Sequence, residues 1–257
     1  VTTLGLASAL AGCGEVDDTV IETQSSAITW RRYSWEQGQP AVNMGSGADR
    51  VCFLTGVHGS FRGGGEAVRV LNANGTWLLT GSSQQSGVGG TAACVSQAPL
   101  TQPVFPGRYS LEYVWRQGNA PVNMGSTNGR VCFLTGMSGK FEGGGEMIRT
   151  RVSNGSWFLD GTSSQAGVAA WAYCLGGVPY TVEKSYDQTQ GSGTFLFSDP
   201  KMDAAVCALT RVQGKFRGAT ESVAVDFHPD IPQIAGWYMY VHSNQAGVGM
   251  GARCIFQ

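Results

Sequence analysis

The sequence predicts an all-β protein of three tandem, disulfide-closed, β-sandwich-like modules, each of about 75 residues. Three observations lead there. Glycine supplies 38 of 257 residues and aromatic residues 10%, while charged residues make up only 14%. That balance belongs to turn-rich sheet proteins rather than to disordered chains, and no segment keeps a helical period. The chain also repeats itself, and its cysteines repeat with it.

Residues 1–13 form a short apolar stretch closed by Leu10-Ala11-Gly12-Cys13. This ending resembles the lipobox of bacterial lipoproteins, here without a Met start or a basic n-region. The resemblance implies a truncated signal peptide over 1–13, a lipid on Cys13 and attachment to a membrane through that lipid. Gly14 stands where the bacterial sorting rule places Asp for inner-membrane retention, which implies the outer membrane or cell surface. If the box is not used, the expectation is a secreted protein. Residues 14–27 carry Glu15, Asp17, Asp18 and Glu22 among small polar residues, which predicts a flexible tether.

From residue 28 onward one unit is written three times. Val51-Cys-Phe-Leu-Thr-Gly56 returns as Val131-Cys-Phe-Leu-Thr-Gly136 and, weakened, as Val206-Cys-Ala-Leu-Thr-Arg211. Phe61-x-Gly-Gly-Gly-Glu66 returns as Phe141-x-Gly-Gly-Gly-Glu146 and Phe216-x-Gly-Ala-Thr-Glu221. Gln85-Ser-Gly-Val88, Gln165-Ala-Gly-Val168 and Gln245-Ala-Gly-Val248 match, as do Trp77, Trp157 and Trp237. Trp35 with Asn43-Met-Gly-Ser46 matches Trp115 with Asn123-Met-Gly-Ser126, whereas the third copy has Tyr186 to Phe197 in that place. The spacing pairs Cys52 with Cys94, Cys132 with Cys174 and Cys207 with Cys254, one disulfide per unit, in an oxidising compartment.

Strand signals fill each unit. Arg50 to Thr55 is a short apolar run, and Ala67 to Leu71 and Thr76 to Thr80 flank Asn74-Gly75, a hairpin signature. The second copy repeats it around Asn154-Gly155; the third has a longer tip from His228 to Gly236. The last strand of each unit carries its second cysteine. The units therefore run 28–97, 109–177 and 178–257, with a Pro-rich stretch at 98–108 as a stiff linker. Two arrangements remain open. The linker and the private disulfides favour separate beads; the alternative is one body with three sheets about a pseudo-threefold axis, like a β-prism.

The sequence contains no nucleophile elbow, phosphate loop or metal-ligand spacing, and so predicts no catalytic residue, no metal site and no cofactor. A net charge of −1 argues against a nucleic-acid partner. What repeats is an aromatic-plus-amide set. It comprises Glu66, Trp77 and Gln85, then Glu146, Trp157 and Gln165, then Glu221, Trp237 and Gln245. As a binding site, the Trp face stacks on a sugar while Glu and Gln reach its hydroxyls. As structure, Trp fills a small core, Glu caps the Gly-rich turn and Gln bridges a turn. In the third copy Tyr238, Tyr240 and His242 make the strand after the hairpin more aromatic. The disulfide-closed, Gly/Trp-punctuated repeats loosely resemble bacterial surface lectin or adhesin repeats, which implies non-catalytic binding of a glycan or envelope polymer. The alternatives are a self-associating adhesive surface protein and a hydrolase with carboxylates meeting between units.

Overall fold

The computed structural model describes residues 30–48, 50–96, 112–176, 180–187, 194–197, 205–228, 236–245 and 247–256. The lipobox with Cys13, the 14–27 tether and the 98–108 linker lie outside them. Every regular element in the described residues is a strand. The first repeat gives β1 (Trp30–Glu36), β2 (Val42–Ser46), β3 (Arg50–His58), β4 (Ala67–Ala73), β5 (Thr76–Ser82) and β6 (Gly89–Ser96). The second gives β7 (Tyr113–Arg116), β8 (Val122–Ser126), β9 (Arg130–Ser138), β10 (Met147–Ser153), β11 (Ser156–Thr162) and β12 (Ala169–Gly176). The third gives β13 (Tyr180–Asp187), β14 (Thr194–Phe197), β15 (Ala205–Gln213), β16 (Ser222–His228), β17 (Gly236–His242) and β18 (Gly249–Phe256). The third copy thus keeps two strands ahead of its Cys207 strand although its sequence there departs from the other two.

Each repeat folds into two three-stranded halves, β1-β6-β3 and β2-β5-β4 in the first. The halves face each other as a β-sandwich-like pair. Trp35 of β1 lies so close under Gly81 of β5 that a Cβ there would strike the indole, and Trp115 stands likewise under Gly161. The disulfides Cys52–Cys94, Cys132–Cys174 and Cys207–Cys254 all form. Each joins residues directly opposite one another on adjacent strands. The Asn-Gly hairpins form as the dipeptides require: Asn74 and Gly75 take φ of 51° and 81°, and Asn154 and Gly155 take 47° and 70°. Two positive φ values in succession give the turn whose twist matches a two-residue hairpin.

The halves do not close on themselves. β3 pairs with β16, β4 with β9, and β10 with β15. Three six-stranded sheets result. Sheet A is β1-β6-β3-β16-β17-β14, sheet B is β2-β5-β4-β9-β12-β7, and sheet C is β13-β18-β15-β10-β11-β8. Each sheet takes one half from each of two repeats, and the pattern maps onto itself when the repeats are permuted cyclically. Of the two arrangements left open by the sequence, the strand pairing selects the pseudo-threefold body. The beads reading is corrected because half-sheets of three strands leave an edge unpaired, and the neighbouring repeat supplies its partner.

The axis is marked by the phenylalanines that follow the Cys strands. Phe61, Phe141 and Phe216 are fully buried and meet edge to face, with centroids 6.3, 6.0 and 6.2 Å apart. Their backbones close a ring. The Phe61 N–H donates to the Phe216 carbonyl (2.7 Å), Phe141 to Phe61 (2.7 Å) and Phe216 to Phe141 (2.8 Å). A second ring lies beside it, in which Gly59, Gly139 and Gly214 donate to the carbonyls of Glu221, Glu66 and Glu146, each at 2.8 Å. Phe53 and Phe133 meet at a tilt further along, with centroids 4.8 Å apart, where the third repeat has Ala208.

Candidate functional site

Of the repeated residues expected in the site, the three Trp and the three Glu lie in the interior. Trp77, Trp157 and Trp237 are only 2%, 2% and 1% exposed. The Trp77 indole N–H donates to the Arg50 carbonyl at 2.8 Å and that of Trp157 to the Arg130 carbonyl at 2.9 Å. Trp77 also meets Tyr173 of the next repeat edge to face at 5.4 Å. None of the three can stack on a ligand in this fold, so their assignment as binding residues is corrected. Large aromatic residues carry much of the core of a unit this small.

Glu66, Glu146 and Glu221 are each 3% exposed. The Gly218 N–H donates to Glu221 Oε2, so the carboxylate caps its own Gly-rich turn. A Cβ on Gly63 would sit 2.6 Å from Glu66 Oε2, and one on Gly143 would collide with Glu146 Oε2. The same close approach therefore explains the glycine three residues before each Glu. These acids too are withdrawn as ligand contacts.

Gln85, Gln165 and Gln245 are half-buried in turns where their backbone N–H donates to a Ser hydroxyl oxygen, that of Ser83, Ser163 and Ser243. Those turns lie between repeats. A Cβ on Gly87 would meet the Ala219 Cβ at 2.8 Å, Gly64 faces Ala166 and Gly247 faces Gly144. Asn43 and Asn123 accept the N–H of Gly45 and Gly125 at 2.8 Å, and Met44 and Met124 are core. What is written three times is therefore chiefly what builds the shared body. Near the Phe ring, Lys140 and then Arg62 hold the Glu142 carboxyl below its usual range through hydrogen bonds.

The side chains that differ between repeats lie on the other face of the hairpins. In β16 and β17 the register sets Ser222, Ala224 and Asp226 opposite His242, Tyr240 and Tyr238, so these six share one side. The opposite side, with Val223, Val225, Trp237, Met239 and Val241, is buried. Tyr238 and Tyr240 stack at 6.1 Å with 27° between their planes. The His228 ring meets them edge-on at 5.4 and 5.5 Å, and its Nε2 shares a 2.7 Å hydrogen bond with the Tyr240 hydroxyl. Beside them Asp226 pairs with Arg32 of the first repeat. Three half-buried rings thus stand on an outer sheet face next to a carboxylate and a guanidinium.

Burial, helped by Asp226 and Tyr238, raises the Tyr240 phenol above its ordinary 10.0. The hydroxyl stays protonated and able to donate. The fold favours that neutral form, so the contribution of Tyr240 to stability is full below a pH of about 10 and falls as pH rises past it. In an ultraviolet phenolate titration, Tyr240→Phe will remove an ionisation lying above pH 10.

The equivalent positions carry other groups elsewhere. The first hairpin has Arg69, Leu71, Leu78 and Thr80; the second has Arg149, Arg151, Phe158 and Asp160. Among the described residues no three His, Cys, Asp or Glu side chains are grouped to hold a metal ion. Comparison of the chain with family models, with curated proteins and with solved structures returns no match.

Proposed function

We propose that this is a lipid-anchored bacterial surface protein, tethered through Cys13, that binds a glycan or envelope polymer without chemical turnover. The binding face is the aromatic platform of Tyr238, Tyr240 and His228, flanked by Asp226 and Arg32. One observation carries the reading: two tyrosine rings stacked on the outer face of a sheet, with polar groups at their rim. Ring faces of this kind receive the C–H face of a sugar, and the adjacent carboxylate and guanidinium are suited to its hydroxyls. The three disulfides support an extracellular setting.

The test is a glycan array followed by calorimetry on the full, disulfide-intact chain and on Tyr238→Ala/Tyr240→Ala. The expected result is selective glycan binding that falls at least about tenfold in the variant, or roughly 1.4 kcal/mol. Near-ultraviolet dichroism should still report the buried tryptophans in place, because the substitutions sit on the outer face. Equal binding by the variant would remove the platform. Binding to no glycan, with mass rising with concentration in sedimentation, would transfer the function to self-association.

A further inference from the structure

Each sheet has one place where halves from two repeats meet, and its exposed side is furnished differently in the three sheets. In sheet A, Arg32 pairs with Asp226 one to one. In sheet B, Arg69 pairs with Glu112 at 2.7 Å and lies over the Trp171 ring at 4.4 Å, so a cation is closed off by an acid and an indole. Sheet C is built otherwise. Arg149 and Arg151 both bind a single carboxylate, Asp160, at 2.8 and 2.5 Å.

The geometry of that pair is specific. Both arginines use Nε, one to each oxygen of Asp160. Among the described residues their Nη groups make no hydrogen bond. The Asp160 side chain is only 8% exposed, whereas those of Arg149 and Arg151 are 37% and 32% exposed. A buried acid therefore grips two guanidinium groups from behind and leaves their outer edges toward solvent. The Arg151 guanidinium lies over the Phe158 ring at 5.3 Å, which further limits its rotamers. Arg211 stands directly opposite Arg149 in the register and donates to the Met250 carbonyl at 3.0 Å.

We infer that Arg149 and Arg151, held by Asp160 and backed by Phe158, form an oxyanion-binding fork on the outer face of sheet C. Its ligand is an acidic glycan, bound through a uronate carboxylate or a sulfate ester. Planar guanidinium edges match such oxyanions in paired hydrogen bonds, and an adjacent aromatic ring suits the sugar that carries them. The class of ligand rests on the glycan-binding reading; the fork itself rests on the arginine geometry.

The experiment titrates the full chain with polygalacturonate, a heparin oligosaccharide, uncharged dextran and inorganic polyphosphate. Binding to one or both acidic glycans, and not to dextran, is expected at this face. Arg149→Gln/Arg151→Gln should weaken it at least tenfold. Because that variant strands a buried carboxylate, Arg149→Gln/Arg151→Gln/Asp160→Asn serves as the folded counterpart and should lose as much. Arg149→Lys/Arg151→Lys keeps the charge without the planar edge and should also weaken binding; wild-type affinity in it would overturn the fork in favour of diffuse charge. Polyphosphate bound as tightly as the acidic glycans would overturn the glycan assignment. Absence of acidic-glycan binding alongside intact binding at the tyrosine platform would overturn this proposal alone.

Discussion

Excised from the chain, residues 109–177 will not fold as a monomer. Alone, this repeat loses the β4 strand that pairs with β9 and the β15 strand that pairs with β10. Its Phe141 loses both ring neighbours, and the Phe141 N–H and carbonyl lose their partners in the axial ring. The Gly139 N–H and the Glu146 carbonyl are stranded as well. Each hydrogen bond forfeited to water costs on the order of 0.5–1.5 kcal/mol, and the apolar face around Phe141 is exposed as well. The Cys132–Cys174 disulfide, worth about 4 kcal/mol for its loop, acts mainly on the unfolded chain and supplies none of these partners. Circular dichroism of the excised repeat should show no cooperative unfolding. The one folded form open to it is a trimer, in which three copies recreate the cyclic pairing and close the ring. Sedimentation distinguishes these outcomes, and a folded monomer at micromolar concentration would refute the shared-sheet account.

Phe141→Ala in the intact chain should cost about 3–5 kcal/mol, with Phe61→Ala and Phe216→Ala close to it. The ring is fully buried and makes two edge-to-face contacts, at 6.3 and 6.2 Å. Such contacts add about 0.5–1.5 kcal/mol each beyond area burial. Against a total stability of roughly 5–15 kcal/mol, one substitution removes a large share. Its reach is the sharper part of the prediction. The sheets cross every repeat boundary, so the urea midpoint should fall for the whole molecule in one transition, by fluorescence and by far-ultraviolet dichroism alike. Independent units would give two transitions, with one third of the signal shifted.

The candidate site was legible only in part. Tyr238, Tyr240 and His242 stood out in the sequence as an aromatic departure of the third repeat. The stronger signal, recurrence, pointed to Trp77, Glu66 and Gln85, and recurrence here measures what the three repeats need in common. Trp77 fills a core, Glu66 is buried against Gly63 and Gln85 sits in a turn between repeats. Groups that differ between repeats sit on the outer side of β4, β5 and their counterparts, where no shared packing restrains them. Arg149, Arg151 and Asp160 lie within twelve residues of each other, yet their convergence shows only when β10 and β11 are set in register.

The sequence by itself determined most of the strands, the two Asn-Gly hairpins and the disulfides. Strand alternation is local, Asn74-Gly75 and Asn154-Gly155 specify their turns through backbone sterics alone, and one early and one late cysteine in each repeat leave one consistent pairing. Only the tertiary structure decided which strand edges join. Backbone hydrogen bonds carry no side-chain label, so β4 reads the same whether its open edge meets its own repeat or the next. The choice falls to contacts far apart in the chain: three phenylalanines, at 61, 141 and 216, that are buried together only when all three repeats close the ring.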